Sequence, residues 1–170
     1  MELTLLVQII STLAMTLGIL FGILNLRNFQ AARKREAAIL MLNSFQTMEF
    51  VRGLLYIFDL PDNASAEDLE KLPEEKFMTI YLVLGTWERL GILVHRKEIA
   101  IELVDDAFSG PILLSWLKLK SFVETFRARV RRDTGFEWFQ WLAERIAERE
   151  QRGSAVPAYI AHQGWKPSGR

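Results

Sequence analysis

At 170 residues, with 21 basic and 21 acidic side chains, the chain has room for one apolar anchor and one modest core, and its balanced charge argues against a nucleic-acid surface. It has no cysteine and two histidines, His95 and His162, which excludes disulfide staples, thiolate metal sites and a multi-histidine centre. We therefore expect no metal, no cofactor and no catalytic residue set.

Residues 3–26 carry no charge. As a helix they would rise about 36 Å, enough to cross a hydrocarbon layer of about 30 Å. Glu2 leads and the basic cluster Arg27, Arg33, Lys34 and Arg35 follows, the reverse of a cleaved signal peptide. The pattern predicts a retained single-pass anchor, 1–26, in the cell (inner) membrane. The basic cluster touches headgroups, puts the N-terminus outside and makes the rest cytoplasmic. Ala14, Gly18 and Gly22 share one face at a spacing of four, the small-residue pattern that lets a second membrane helix approach closely. Besides the bilayer, the predicted partner is another membrane protein on that face, with a homo-oligomer as the other candidate.

After the anchor, apolar residues recur at three and four, so residues 27–151 read as an all-α cytoplasmic bundle. The first helix is predicted to continue from the anchor through 27–59 and to bury Met41, Phe45, Met48, Val51, Leu55 and Phe58. Ser65 and Asp68 form a capping-box pair able to start a short turn inside the loop 61–76. Pro73, Glu74 and Glu75 suit the start of the next helix, whose buried face is Phe77, Ile80, Tyr81, Leu84 and Trp87. A short helix near 97–107 is predicted to stop at Ser109-Gly110-Pro111. A seam then follows through Ile112, Trp116, Leu119, Val123, Phe126 and Val130 to a stop at Gly135. The last helix, about 136–150, turns Phe136, Phe139, Leu142 and Ile146 inward. Residues 152–170 hold too many breakers for regular structure, yet Tyr159, Ile160 and Trp165 mark a candidate docking tail.

Helical projection places Arg52 and Glu88 inside these apolar faces. A buried charge needs a partner, so an Arg52–Glu88 ion pair is predicted, with Arg127 as the competing cation. Its expected role is to set helix register. His95 and Glu98 have a metal-ligand spacing only once and in reversed order, and Asp105-Asp106 lacks a calcium loop's glycine. Arg127, Arg129, Arg131 and Arg132 suit a helix C-terminus, and the aromatics beside them suit a core better than a base-stacking surface.

The segments GTWERLGILVHRKEIAIELV, GPILLSWLKLKSFVETFRARV and GFEWFQWLAERI, within residues 81–146, carry an aromatic-Glu step before Gly-Ile-Leu at Trp87-Glu88, then Trp116, Arg127 and an aromatic-rich last helix. On these features the chain resembles a family of bacterial membrane-anchored helical proteins catalogued as a domain of unknown function. Trp87 departs from the Phe expected before the glutamate. The resemblance implies an anchor followed by a helical cytoplasmic module, and no activity. It also makes Glu88 and Arg127 the alternative charged pair.

The expected function is therefore a non-catalytic accessory, scaffold or assembly subunit of a larger membrane complex, including an energy-transducing one. The second expectation is a membrane-tethered homodimeric sensor or signalling effector. An enzyme would need Glu88, Arg52 and Arg127 to meet a ligand in one pocket.

Overall fold

The structure, a computed structural model, describes residues 7–8, 12–26, 29, 36, 45, 47–153 and 157–166. Arg27, Arg33, Lys34, Arg35 and Met41 lie outside the described residues. The chain divides into two compact units, Met1–Ser44 and Phe45–Arg170. Every regular element among the described residues is an α-helix.

In the first unit, α1 spans Thr12–Leu26. Its threonine hydroxyls each donate to the carbonyl four residues earlier, Thr12 to Gln8 (2.9 Å) and Thr16 to Thr12 (2.8 Å). The side of α1 therefore shows few unsatisfied polar groups.

The second unit holds α2 (Met48–Phe58), α3 (Ala66–Glu70), α4 (Glu74–His95), α5 (Ile101–Val130), α6 (Glu137–Arg152) and α7 (Ala158–Ala161). Helices α2, α4, α6 and α5 touch in that cyclic order, which sets α4 diagonally opposite α5. Across the diagonal the buried Trp87 indole N–H of α4 donates to Ser115 Oγ of α5 at 3.3 Å. Around Trp87 the rings of Phe45, Phe50 and Phe108 stand at 5.3, 5.4 and 6.0 Å. A second group, Phe77, Tyr81, Phe122, Phe126 and Phe136, closes the bundle beside the α5–α6 corner. Among the described residues α4 is long and apolar enough to cross a membrane, but Ile80, Val83, Leu84 and Trp87 are fully enclosed, which accounts for that apolarity by core packing.

The capping box forms as its sequence predicts. Ser65 Oγ accepts from the Asp68 N–H (3.2 Å), and Asp68 Oδ2 accepts from the Ser65 N–H (3.0 Å), so α3 folds as one short helix. The loop before it is pinned to α5. Asn63 and Ala64 donate backbone N–H groups to the Leu117 and Lys118 carbonyls at 3.0 and 2.8 Å, while the Lys118 ammonium reaches the Leu60 carbonyl and Asp62 (3.0 Å). Pro73 stands just before α4, whose first residue is Glu74.

Three predictions on the elements are corrected. First, helix does not run unbroken to 59. Thr47 is extended and its hydroxyl accepts from the Phe50 N–H at 3.2 Å, so α2 has its own capped start. Helix α2 is also turned about half a revolution from expectation: Phe50, Gly53 and Ile57 are buried, whereas Met48, Val51 and Leu55 are exposed. Gly53 decides the rotation, because a Cβ there would lie 2.6 Å from the Thr79 carbonyl oxygen of α4.

Second, Gly110-Pro111 does not end a helix. The buried side of α5 runs through it from Val104 and Phe108 to Ile112, Ser115 and Leu119, and this packing outweighs the one backbone hydrogen bond that proline removes. Third, α5 stops at Val130 rather than at Gly135. Arg131 takes a left-handed conformation (φ 51°), and Arg132 N–H donates back to the Arg127 carbonyl at 3.1 Å. Of the seam, Ile112, Leu119 and Val123 are buried, Trp116 and Phe126 half-buried, and Val130 exposed.

Candidate functional site: the start of helix α6

Helix α6 begins with no cap of its own. Phe136, at the N-cap position, is left-handed (φ 53°) and has no side-chain oxygen to offer the free N–H groups of the first turn. The acceptor comes from another helix. Glu88 of α4 accepts from the Phe139 N–H at 2.8 Å, with the Trp138 N–H also directed at its carboxylate. This is anion binding at the positive end of a helix, with a side chain as the anion.

Arg127, from the last turn of α5, holds the carbonyl side of the same corner. Its Nε donates to the Gly135 carbonyl (2.7 Å), one terminal nitrogen to the Phe136 carbonyl (3.2 Å) and the other to Gln140 Oε1 (2.6 Å). Helix α4 can approach this closely because residue 91 is glycine, since a Cβ there would run into the Trp138 carbonyl. Near the crossing, His95 packs against Trp138 at a tilt and against Trp141 edge-on, at centroid distances of 4.6 and 5.6 Å.

The predicted Arg52–Glu88 pair is thus absent. Arg52 is exposed on the outer side of α2, because the rotation of that helix carries it away from the core. Glu88 is half-buried and bonds to main-chain N–H groups. Arg127 is half-buried too, and it serves the same helix start through carbonyls rather than pairing with the carboxylate. Glu88 and Arg127 converge on one corner and Arg52 does not. Nothing in the sequence marks a main-chain N–H as the target of a carboxylate; the available signal was Phe136, a residue unable to cap, ahead of an amphipathic helix.

Burial pushes the Glu88 carboxyl above the ordinary carboxylate range. The Phe139 and Trp138 N–H groups oppose this, Glu137 adds to it, and Arg127 weakly opposes it. A carboxyl raised by folding gives stability that is complete below its unfolded value and is lost as pH rises through its folded value. Urea unfolding of the wild type is therefore expected to weaken across that mildly acidic interval, while Glu88→Gln removes this component of the slope. Glu88→Ala strands the N–H groups and is expected to cost about 1–2 kcal/mol at neutral pH.

The other predicted residues lie apart. Ala14, Gly18 and Gly22 are exposed along α1, and a Cβ on either glycine would meet nothing within 4 Å. Tyr159, Ile160 and Trp165 are all exposed, so their side chains do not dock into the bundle. The short helix α7 borders an open groove lined by Asp105, Arg149 and His162, in which Arg149 is already bound by Asp105 (2.8 Å) and Glu102 (3.3 Å). Among the described residues no three metal-ligating side chains gather.

Together the fold and this corner define a helical bundle whose inner charges secure a helix start. The chain belongs to the family defined by a domain of unknown function, DUF4760, whose model matches residues 10–146. The match takes in α1 through most of α6 and leaves α7 and the exposed tail aromatics outside. No curated protein and no solved structure matches the chain.

Proposed function

We propose that this chain is a single-pass protein of the cell inner membrane, with its bundle in the cytoplasm, acting without catalysis as an accessory, scaffold or assembly subunit of a larger membrane complex. An energy-transducing complex is included in that class. The observation that carries the reading is the exposure of α1. Leu13, Met15, Leu17, Ile19, Phe21 and Leu24 are each roughly half to three-quarters exposed on a helix without a charged residue, and such a surface needs lipid or protein to cover it. Threonine hydroxyls bonded within the helix suit an apolar surrounding. The open face at Gly18 and Gly22 suits a second helix lying close. The basic cluster Arg27, Arg33, Lys34 and Arg35 supports the orientation.

Further support is that Glu88 and Arg127, the inner charges available for chemistry, already serve the start of α6. The test is native mass spectrometry of the full chain, extracted from its own membranes in mild detergent, beside a Gly18→Leu, Gly22→Leu variant. A different protein bound in stoichiometric amount and lost from the variant is the expected result. Monomer in both would leave the glycine face as ordinary anchor surface and overturn the subunit reading.

A further inference from the structure

Helix α2 is apolar on two opposite sides. Phe50, Gly53 and Ile57 fill the core, while Met48, Val51 and Leu55 are 62, 43 and 56% exposed. Arg52 and Asp59 flank this outer stripe, both exposed, seven residues and hence two turns apart on the same side. Neither belongs to an ion pair among the described residues. Asp59 is also the C-cap of α2, where the negative end of the helix dipole favours a cation, and the last turn has no basic residue. Glu49, exposed and likewise outside those ion pairs, sits in the first turn, where the positive end of the helix dipole answers it; beyond it α2 carries Arg52 and, at its C-cap, Asp59, bracketing Leu55.

Such a surface is complementary to itself. Under a two-fold axis residue i meets j and j meets i, so a face that carries both signs around an apolar centre can answer both charges with a copy of itself. We propose that the outer face of α2 docks a second copy of this chain, the two α2 helices running antiparallel with Leu55 beside the axis and each Arg52 meeting the partner's Asp59. The midpoint between positions 52 and 59 falls between 55 and 56, which puts Leu55 at the centre and Val51 on either side of it. The guanidinium would also stand at the helix end that Asp59 now burdens. One helix face is a small contact, and it suits chains already concentrated in a shared bilayer; this point and the membrane setting of the test rest on the membrane reading.

The chain has no cysteine, so a single introduced thiol is a clean reporter. In the full-length protein in its own membranes, Leu55→Cys is expected to form a disulfide-linked dimer on mild oxidation. Glu67→Cys, on the exposed side of α3, stays monomeric. Arg52→Asp or Asp59→Arg, added singly to the Leu55→Cys chain, lowers the crosslinked fraction several-fold; both reversals together restore it. Equal crosslinking at 55 and 67, no response to the single reversals, or no recovery in the double swap overturns the proposal. A residue 55 thiol that stays monomeric yet is shielded from maleimide only while lipid is present would assign the face to the bilayer. Shielding that follows a co-purifying different protein would assign it to that protein. Either result overturns the second copy.

Discussion

Trp87→Ala is expected to destabilise the bundle by about 3–5 kcal/mol, read as the loss of unfolding free energy in urea with the full chain in detergent. The indole is fully buried at the diagonal of the helix ring, with three aromatic rings packed around it, so truncation leaves a void that four helices cannot easily close. A polar component adds to this. The indole N–H answers Ser115 Oγ, a hydroxyl that is itself fully buried. Trp87→Phe keeps most of the ring volume and is expected to cost about 1–3 kcal/mol, partly by leaving that hydroxyl without its donor. Ser115→Ala should then cost less in the Trp87→Phe chain than in the wild type, by about 0.5–1 kcal/mol; purely additive losses would show that the 3.3 Å contact contributes nothing.

Gly91→Ala is expected to cost about 3 kcal/mol, and here the sign is as informative as the size. Replacing glycine by alanine inside a helix ordinarily stabilises it by about 0.5–1 kcal/mol. At position 91 the new methyl would run into the Trp138 carbonyl, a main-chain atom that cannot turn aside, so α4 and α6 must separate and the Glu88 contact to the α6 start stretches with them. Gly85 on the same helix is the control, since a Cβ there meets nothing within 4 Å. Gly85→Ala is expected to raise the midpoint of thermal unfolding and Gly91→Ala to lower it. A shift of the same sign at both positions would mean that the close crossing does not constrain the bundle.

Much of the architecture was legible because local signals agreed with burial. The Ser65–Asp68 box, the inward face of α6, the Ile80, Leu84 and Trp87 positions of α4 and the centre of the α5 seam follow from spacing alone, whereas Tyr81, expected on the buried face of α4, is exposed at its edge. Helix α2 was misread because both of its sides are apolar, so periodicity could not choose between them, and the decision fell to one glycine facing a neighbouring carbonyl. Gly110-Pro111 was read as a break because its local cost is visible in sequence, whereas the packing of Val104, Phe108 and Ile112 on either side is not. For the site, helical projection turns both Glu88 and Arg52 inward; Glu88 is half-buried, Arg52 is exposed, and Arg127, which projection offers only as the competing cation, is the arginine found at the corner. The targets of Glu88 and Arg127 are main-chain groups, which no residue pattern carries, so a side-chain ion pair was the natural but mistaken assignment.

The capping of α6 from outside also bears on the order of events in folding. An isolated peptide of residues 136–152 would begin on Phe136, which offers no side-chain oxygen to the first N–H groups of α6 and must be kept in a left-handed conformation that a bulky residue resists. Those requirements are met only when Glu88 and Arg127 arrive on helices from earlier in the chain. The first turn of α6 is therefore assigned to the late, cooperative part of assembly. A chain whose synthesis has reached the α5–α6 corner already holds both clasps, and the last long helix closes into them as it emerges.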